Sequence, residues 1–133
     1  MVEEGSKEEV SRILRELKAD DWLVRQAAVR KIGGICDPET LSELLERLAC
    51  EKWYVREAAA SGIRGLSSSA VVGCLMRTVA RGDDILRNAS ASALGNLKCR
   101  EAESLLERVS SDPDCRIRRS ARAALERIRE PSA

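Results

Sequence analysis

The side chains with the widest chemical reach in this chain are its five cysteines and its many arginines. Histidine, which most often activates a thiol or hydroxyl nucleophile, is absent. Without it there is no Ser-His or Cys-His nucleophile, no imidazole general base and none of the usual nitrogen ligands for a metal. Zinc held by thiolates alone needs four sulfurs gathered into one tetrahedron. Cys36, Cys50, Cys74, Cys99 and Cys115 instead follow one another at intervals of 14, 24, 25 and 16 residues, with no Cys-x-x-Cys pair. All five are expected to be structural. The carboxylates are scattered, and no glycine-rich phosphate loop is present. Arg81-Gly82-Asp83 spells an adhesion tripeptide, which is read as a coincidence of turn residues. No catalytic residue, metal or cofactor is therefore expected, and the chain reads as a non-enzyme.

The arginines carry the regularity that the cysteines lack. Arg25, Arg56, Arg87 and Arg118 stand 31 residues apart, each preceded by an aliphatic residue (Val24, Val55, Leu86, Ile117). Seven residues after each comes Ile32, Ile63, Leu94 or Leu125, and ten after comes Ile35, Leu66, Leu97 or Ile128. Four coincidences at one period establish an internal repeat.

The elements that must position these arginines follow from their neighbours. At about 100° per residue, the positions just before the Arg and three, seven and ten after it, which hold aliphatics, Ala or Ser, share one helical face. This helix, B, is expected to be capped at Asp21, Lys52, Asp83 and Asp114, three of which carry the preferred N-cap side chain. A helix A precedes each. Its inner face reads Val10, Ile13, Leu14, Leu17 in the first unit, Leu41, Leu44, Leu45, Leu48 in the second and Val72, Leu75, Met76, Val79 in the third. In the fourth, Ala102, Leu105, Leu106 and Val109 come one residue early, and the loop Ser110–Asp114 is one residue longer in compensation. Gly33-Gly34 and Gly65 sit where B helices should end, and Pro38 where a helix A should begin. Gly95 falls inside a helix, which suggests close backbone packing.

The aliphatic-Arg motif, best seen at Asp21-Trp22-Leu23-Val24-Arg25-Gln26-Ala27-Ala28, resembles the HEAT-like repeats of phycobilisome bilin lyase subunits. The resemblance spans about residues 7 to 129. It implies an all-α fold, an α-α superhelix (solenoid) of four two-helix repeats with about eight helices and no sheet, with the B helices lining the concave side. The repeats are placed at 7-36, 37-67, 68-98 and 99-130 within a single domain, 1-133. The fold carries no single function. The di-iron branch of such proteins depends on His-Glu pairs, which this chain cannot supply.

Outward positions of helix B form the candidate working surface. They hold Trp22, Leu23, Gln26 and Arg30, then Trp53, Tyr54, Glu57 and Ser61, then Asp84, Ile85, Asn88 and Ser92, then Cys115, Arg116, Arg119 and Ala123. Both tryptophans and the sole tyrosine fall in this set, and Trp, Tyr and Arg dominate interaction hot spots. The alternative is that the Trp rings wedge between repeats. The Arg25, Arg56, Arg87, Arg118 ladder lies about 70° from the buried face. It either ties the stack together by pairing with Asp residues near a helix B start, or forms a ladder for anions. The arginines of the last helix serve either as a solvated cap or as a partner contact.

The 133 residues are 44% hydrophobic and 34% charged, which suits a folded domain with a well-solvated surface. Aromatics make up 2% and Phe is absent, so Leu, Ile, Val and Ala must fill the core. Lys and Arg (23) nearly balance Asp and Glu (22), leaving no global field to recruit nucleic acid or an anionic membrane. No apolar run approaches the roughly 20 residues of a membrane span. The acidic start lacks a signal peptide's apolar stretch, and an odd cysteine set does not suit a secreted framework. The expected location is cytoplasmic. The leading expectation is a scaffold or adaptor that binds another protein. The resemblance adds a subunit of a bilin lyase or related chromophore-handling enzyme, and the terminal arginines add nucleic-acid binding. Apolar residues at the end repeats would allow self-association.

Overall fold

The computed structural model describes residues 4–131. The first two repeats hold α1 (Glu4–Leu17), α2 (Trp22–Gly33), α3 (Pro38–Leu48) and α4 (Trp53–Arg64); the last two hold α5 (Val72–Arg81), α6 (Asp84–Asn96), α7 (Glu103–Val109) and α8 (Cys115–Arg129). No strand occurs among the described residues.

The B helices (α2, α4, α6, α8) begin at Trp22, Trp53, Asp84 and Cys115, spaced by 31 residues. Their N-caps are Asp21, Lys52, Asp83 and Asp114. The three Asp side chains accept from the backbone N–H two residues on, at 2.9 Å for Leu23, 2.8 Å for Ile85 and 2.8 Å for Arg116. Lys52 has no acceptor to offer and makes no side-chain cap. Gly34 and Gly65 follow the last residues of α2 and α4, and Pro38 opens α3 under an Asp37 cap. The A helices are less regular. Short 3₁₀ turns, Ser69–Val71 and Arg100–Ala102, lead into α5 and α7, and α7 keeps only 7 residues.

Stacking is pairwise. B helices pack as α2 on α4, α4 on α6 and α6 on α8, the last being the most extensive contact; A helices pack as α1 on α3 and α3 on α5. The faces read from periodicity are the buried ones. Val10, Ile13, Leu14 and Leu17 are buried, as are Leu41, Leu44, Leu45 and Leu48; in the B layer so are Ala28, Ile32, Val55, Ile63, Leu86, Leu94, Ile117 and Leu125. Five expected core positions, Val24, Val72, Met76, Leu97 and Leu105, are only half-buried. With no ring to accommodate, the B helices approach closely where glycine allows it. A Cβ on Gly62 would lie 2.6 Å from the Val29 carbonyl, and one on Gly95 would lie 2.6 Å from Ala124 Cα.

A polar cluster ties the first two A helices together. Thr40, 4% exposed, donates either to Ser6 Oγ (2.9 Å) on α1 or to Asp37 Oδ2 (2.7 Å) at the start of α3. The hydrogen bond from Thr40, reinforced by the backbone N–H groups of Glu39 and Thr40, holds the Asp37 carboxyl below its ordinary pKa.

Candidate functional site

The first turn of a B helix precedes the residues that face the core, so in α2 and α4 the two side chains after the cap project outward. In α2 these are Trp22 and Leu23, 61% and 67% exposed; in α4 they are Trp53 and Tyr54, 64% and 52% exposed. These four are the exposed large hydrophobic residues among those described. The Trp53 and Tyr54 rings meet edge to face, with centroids 6.0 Å apart and planes at 84°. At these exposures the tryptophans do not act as wedges between repeats.

The remaining surface positions divide into two kinds. Arg30, Glu57, Asp84, Cys115, Arg116 and Arg119 are exposed, whereas Gln26, Ile85, Asn88 and Ser92 are half-buried. Ile85 packs against the core. Asn88 Oδ1 accepts from Ser120 Oγ and links α6 to α8. The surface thus runs from apolar at α2 and α4, through a narrow polar step at α6, to basic at α8. Arg116 sits 4.0 Å from its own cap residue Asp114. Arg119 and Arg127 make no ion pair or hydrogen bond among the described residues.

The four repeated arginines lie beneath this surface, at the A-to-B connections. Arg25 donates to the carbonyls of Ala19 (2.7 Å) and Asp20 (2.8 Å), and Arg118 to those of Asp112 (2.8 Å) and Pro113 (2.9 Å). Arg56 donates to the Glu51 carbonyl, and Arg87 to that of Val79 at 2.8 Å. Arg87 satisfies a carbonyl in the last turn of helix A, and the other three satisfy carbonyls in the connection just beyond it. The middle two also reach into the next repeat. Arg87 Nη2 lies 2.7 Å from Asp112 Oδ2, and Arg56 Nε lies 3.2 Å from Asp83 Oδ2, without the alignment of a hydrogen bond. The Arg87 hydrogen bond, together with the Asp114 N–H, holds the Asp112 carboxyl below its ordinary range. Asp83, the third member of the Arg-Gly-Asp tripeptide, spends its carboxylate on this ion pair and on capping α6.

Two hollows were not foreseen from the sequence. One, of about 250 Å³, opens between α6 and α8 and is lined by Ser92, Arg119, Ser120 and Arg127 among others. The other, about 360 Å³, lies on the A side between the second and third repeats, against Ser42, Cys74, Arg77 and Asp83. Cys74 Sγ is 3.3 Å from Ser42 Oγ and 3.4 Å from Arg77 Nη2. Cys99 is also buried; Cys36, Cys50 and Cys115 are exposed, and all five are unpaired. Among the described residues no group of three or more His, Cys, Asp or Glu could hold a metal ion. Among the described residues no helix is long and apolar enough to cross a membrane.

No curated protein and no solved structure matches the chain. The family model for HEAT repeats matches residues 10–95, well over half of the sequence. With its helix pairs stacked in two layers and its B helices in strict register, the chain belongs to the HEAT-repeat family and forms an α-α superhelical solenoid.

Proposed function

We propose that this chain is a non-catalytic scaffold that engages another protein through the exposed surface of its B helices. The observation that carries the reading is the exposure of Trp22, Leu23, Trp53 and Tyr54 together, in the first turns of two adjacent helices. Apolar surface left in water costs on the order of 25 cal/mol per Å², and contiguous patches of it mark interaction sites. Trp and Tyr bring large, rigid contact area at little entropic cost. The lack of histidine throughout the chain favours binding over catalysis.

The test is partner recovery by the wild type against Trp22→Ala/Trp53→Ala/Tyr54→Ala. Exposed substitutions of this kind change stability little, so the variant should keep its helical circular dichroism while losing the partner. Equal recovery by a folded triple variant would remove the surface from consideration. Within the family, the aliphatic-Arg register resembles that of the phycobilisome-lyase type of repeat, which supports that subtype as the finer reading. The scaffold reading expects no absorbance gain on co-expression with a phycobiliprotein and bilin. Five unpaired cysteines suit a reducing compartment, and the proposed location is the cytoplasm.

A further inference from the structure

The B-helix surface has two chemically different ends, and their separation limits what can lie across both. At one end are the four exposed apolar side chains of α2 and α4. At the other is the hollow of about 250 Å³ between α6 and α8, where Arg119 and Arg127 flank the hydroxyls of Ser92 and Ser120. Both arginines lack ion-pair and hydrogen-bond partners among the described residues. Helix α8 carries six arginines against the single Glu126. The Ser120 hydrogen is given to Asn88, so the two guanidinium groups and the Ser92 hydroxyl are the donors offered to a carboxylate.

We infer that the occupant is an extended acidic peptide segment, with aliphatic or aromatic side chains on Trp53 and Tyr54 and a carboxylate in the Arg119–Arg127 hollow. The span follows from helix geometry. From α4 to α8 is two helix spacings of about 9 Å each. From the first turn to a point between Arg119 and Arg127 is about 12 Å along α8 at about 1.5 Å per residue. The diagonal is roughly 22 Å, which an extended chain covers in about seven residues. It crosses α6 near Asn88, with the Asp84 carboxylate one turn to the side.

The same exposed rings could stack on bases, so a single-stranded nucleic acid is the competing occupant. The charges between the two ends oppose it. Glu57 and Asp84 are both exposed there, and a strand with a phosphate at every step would lie beside them. A peptide places its acids only at the basic end. This inference rests on the reading of the B-helix surface as a protein-binding site.

A display library of random 12-residue peptides, selected on the intact wild-type chain, tests it. Selected sequences should carry Asp or Glu about six to eight residues from an apolar pair. Their affinity should fall about tenfold or more on Arg119→Glu/Arg127→Glu, a variant at two exposed positions whose fold circular dichroism checks. Selected peptides without acidic enrichment, or unaffected by the charge reversal, would overturn the inference while leaving the aromatic surface standing. Tighter binding of a 12-nucleotide oligo-dT than of any selected peptide at the same salt would overturn it in favour of nucleic acid. Equal binding of the peptides to Trp22→Ala/Trp53→Ala/Tyr54→Ala would overturn both this inference and the surface it rests on.

Discussion

The crossing of α6 and α8 at Gly95 gives the sharpest stability test. Gly95 is buried in α6, and a Cβ added there would lie 2.6 Å from Ala124 Cα and 2.7 Å from Ala124 Cβ. Carbon atoms rest at about 3.5–4.0 Å, so Gly95→Ala must force α6 and α8 apart by roughly 1 Å. No rotamer change can relieve a contact with Cα, which places the cost near the upper end of overpacking, about 3 kcal/mol. Replacing glycine with alanine inside a helix returns about 1 kcal/mol. The net loss is about 2 kcal/mol, or a melting temperature lowered by about 6–10 °C for a domain of this size. Because repeats touch only their neighbours, the damage should concentrate at the C-terminal end. Thermal denaturation followed by circular dichroism measures the first effect. Hydrogen exchange that rises in α7 and α8 before α1 to α4 measures the second. An unchanged or raised melting temperature would refute the claim that glycine is required for this crossing.

Three further outcomes follow from local features. Ser90 is fully buried with its hydroxyl unpaired, at the position where the other repeats place Ala28, Ala59 and Ala121; Ser90→Ala should stabilise the chain by about 1 kcal/mol in urea unfolding, and a loss would refute the assignment. Lys98 follows the C-cap of α6 with φ at 52°, a left-handed conformation that costs a side-chain-bearing residue roughly 1 kcal/mol; Lys98→Gly should raise the urea midpoint. Asp112 has its folded pKa below the ordinary 3.8 because Arg87 and the Asp114 N–H bind its charged form. Its contribution is complete above about pH 4 and is lost as pH falls through the lowered value, so Asp112→Asn should lose less stability than wild type between pH 5 and pH 2.

The B layer was readable because one pattern repeats with everything in register. An Asp or Lys cap, an aliphatic residue, the Arg and two further aliphatics recur at one interval, and each is tied to a backbone requirement. The A layer was less readable. Ser69–Val71 and Arg100–Ala102 become 3₁₀ turns, which small or charged residues do not announce. Val24 and Leu97 fall on the core face by periodicity yet stay half-buried, since burial there depends on the neighbouring helices as well as on helical phase. Within the candidate site, helical phase put Trp22 and Trp53 on the outward side and left open whether their rings wedge between repeats, which only their exposure decides. The pairing of repeated arginines with Asp residues near a helix B start was one of the two roles read from the sequence, and Arg56 with Asp83 and Arg87 with Asp112 are such pairs. What escaped the sequence were the side-chain links Thr40 with Ser6 and Asn88 with Ser120. These join residues 34 and 32 positions apart, and nothing local to either partner marks them.

The unequal joints between layers have a consequence for how such a chain can lengthen. Helix A ends at Leu17, Leu48, Arg81 and Val109, while helix B starts keep one interval throughout. Irregularity is absorbed on one side of the stack, and the other behaves as a ruler whose divisions stay equal. Splicing in one more 31-residue unit between the second and third repeats would preserve every division and move the basic end about 9 Å farther from the aromatic end. The segment bridging the two ends would then need about three more residues. Duplication of a unit therefore changes the reach of the surface without redesigning either end.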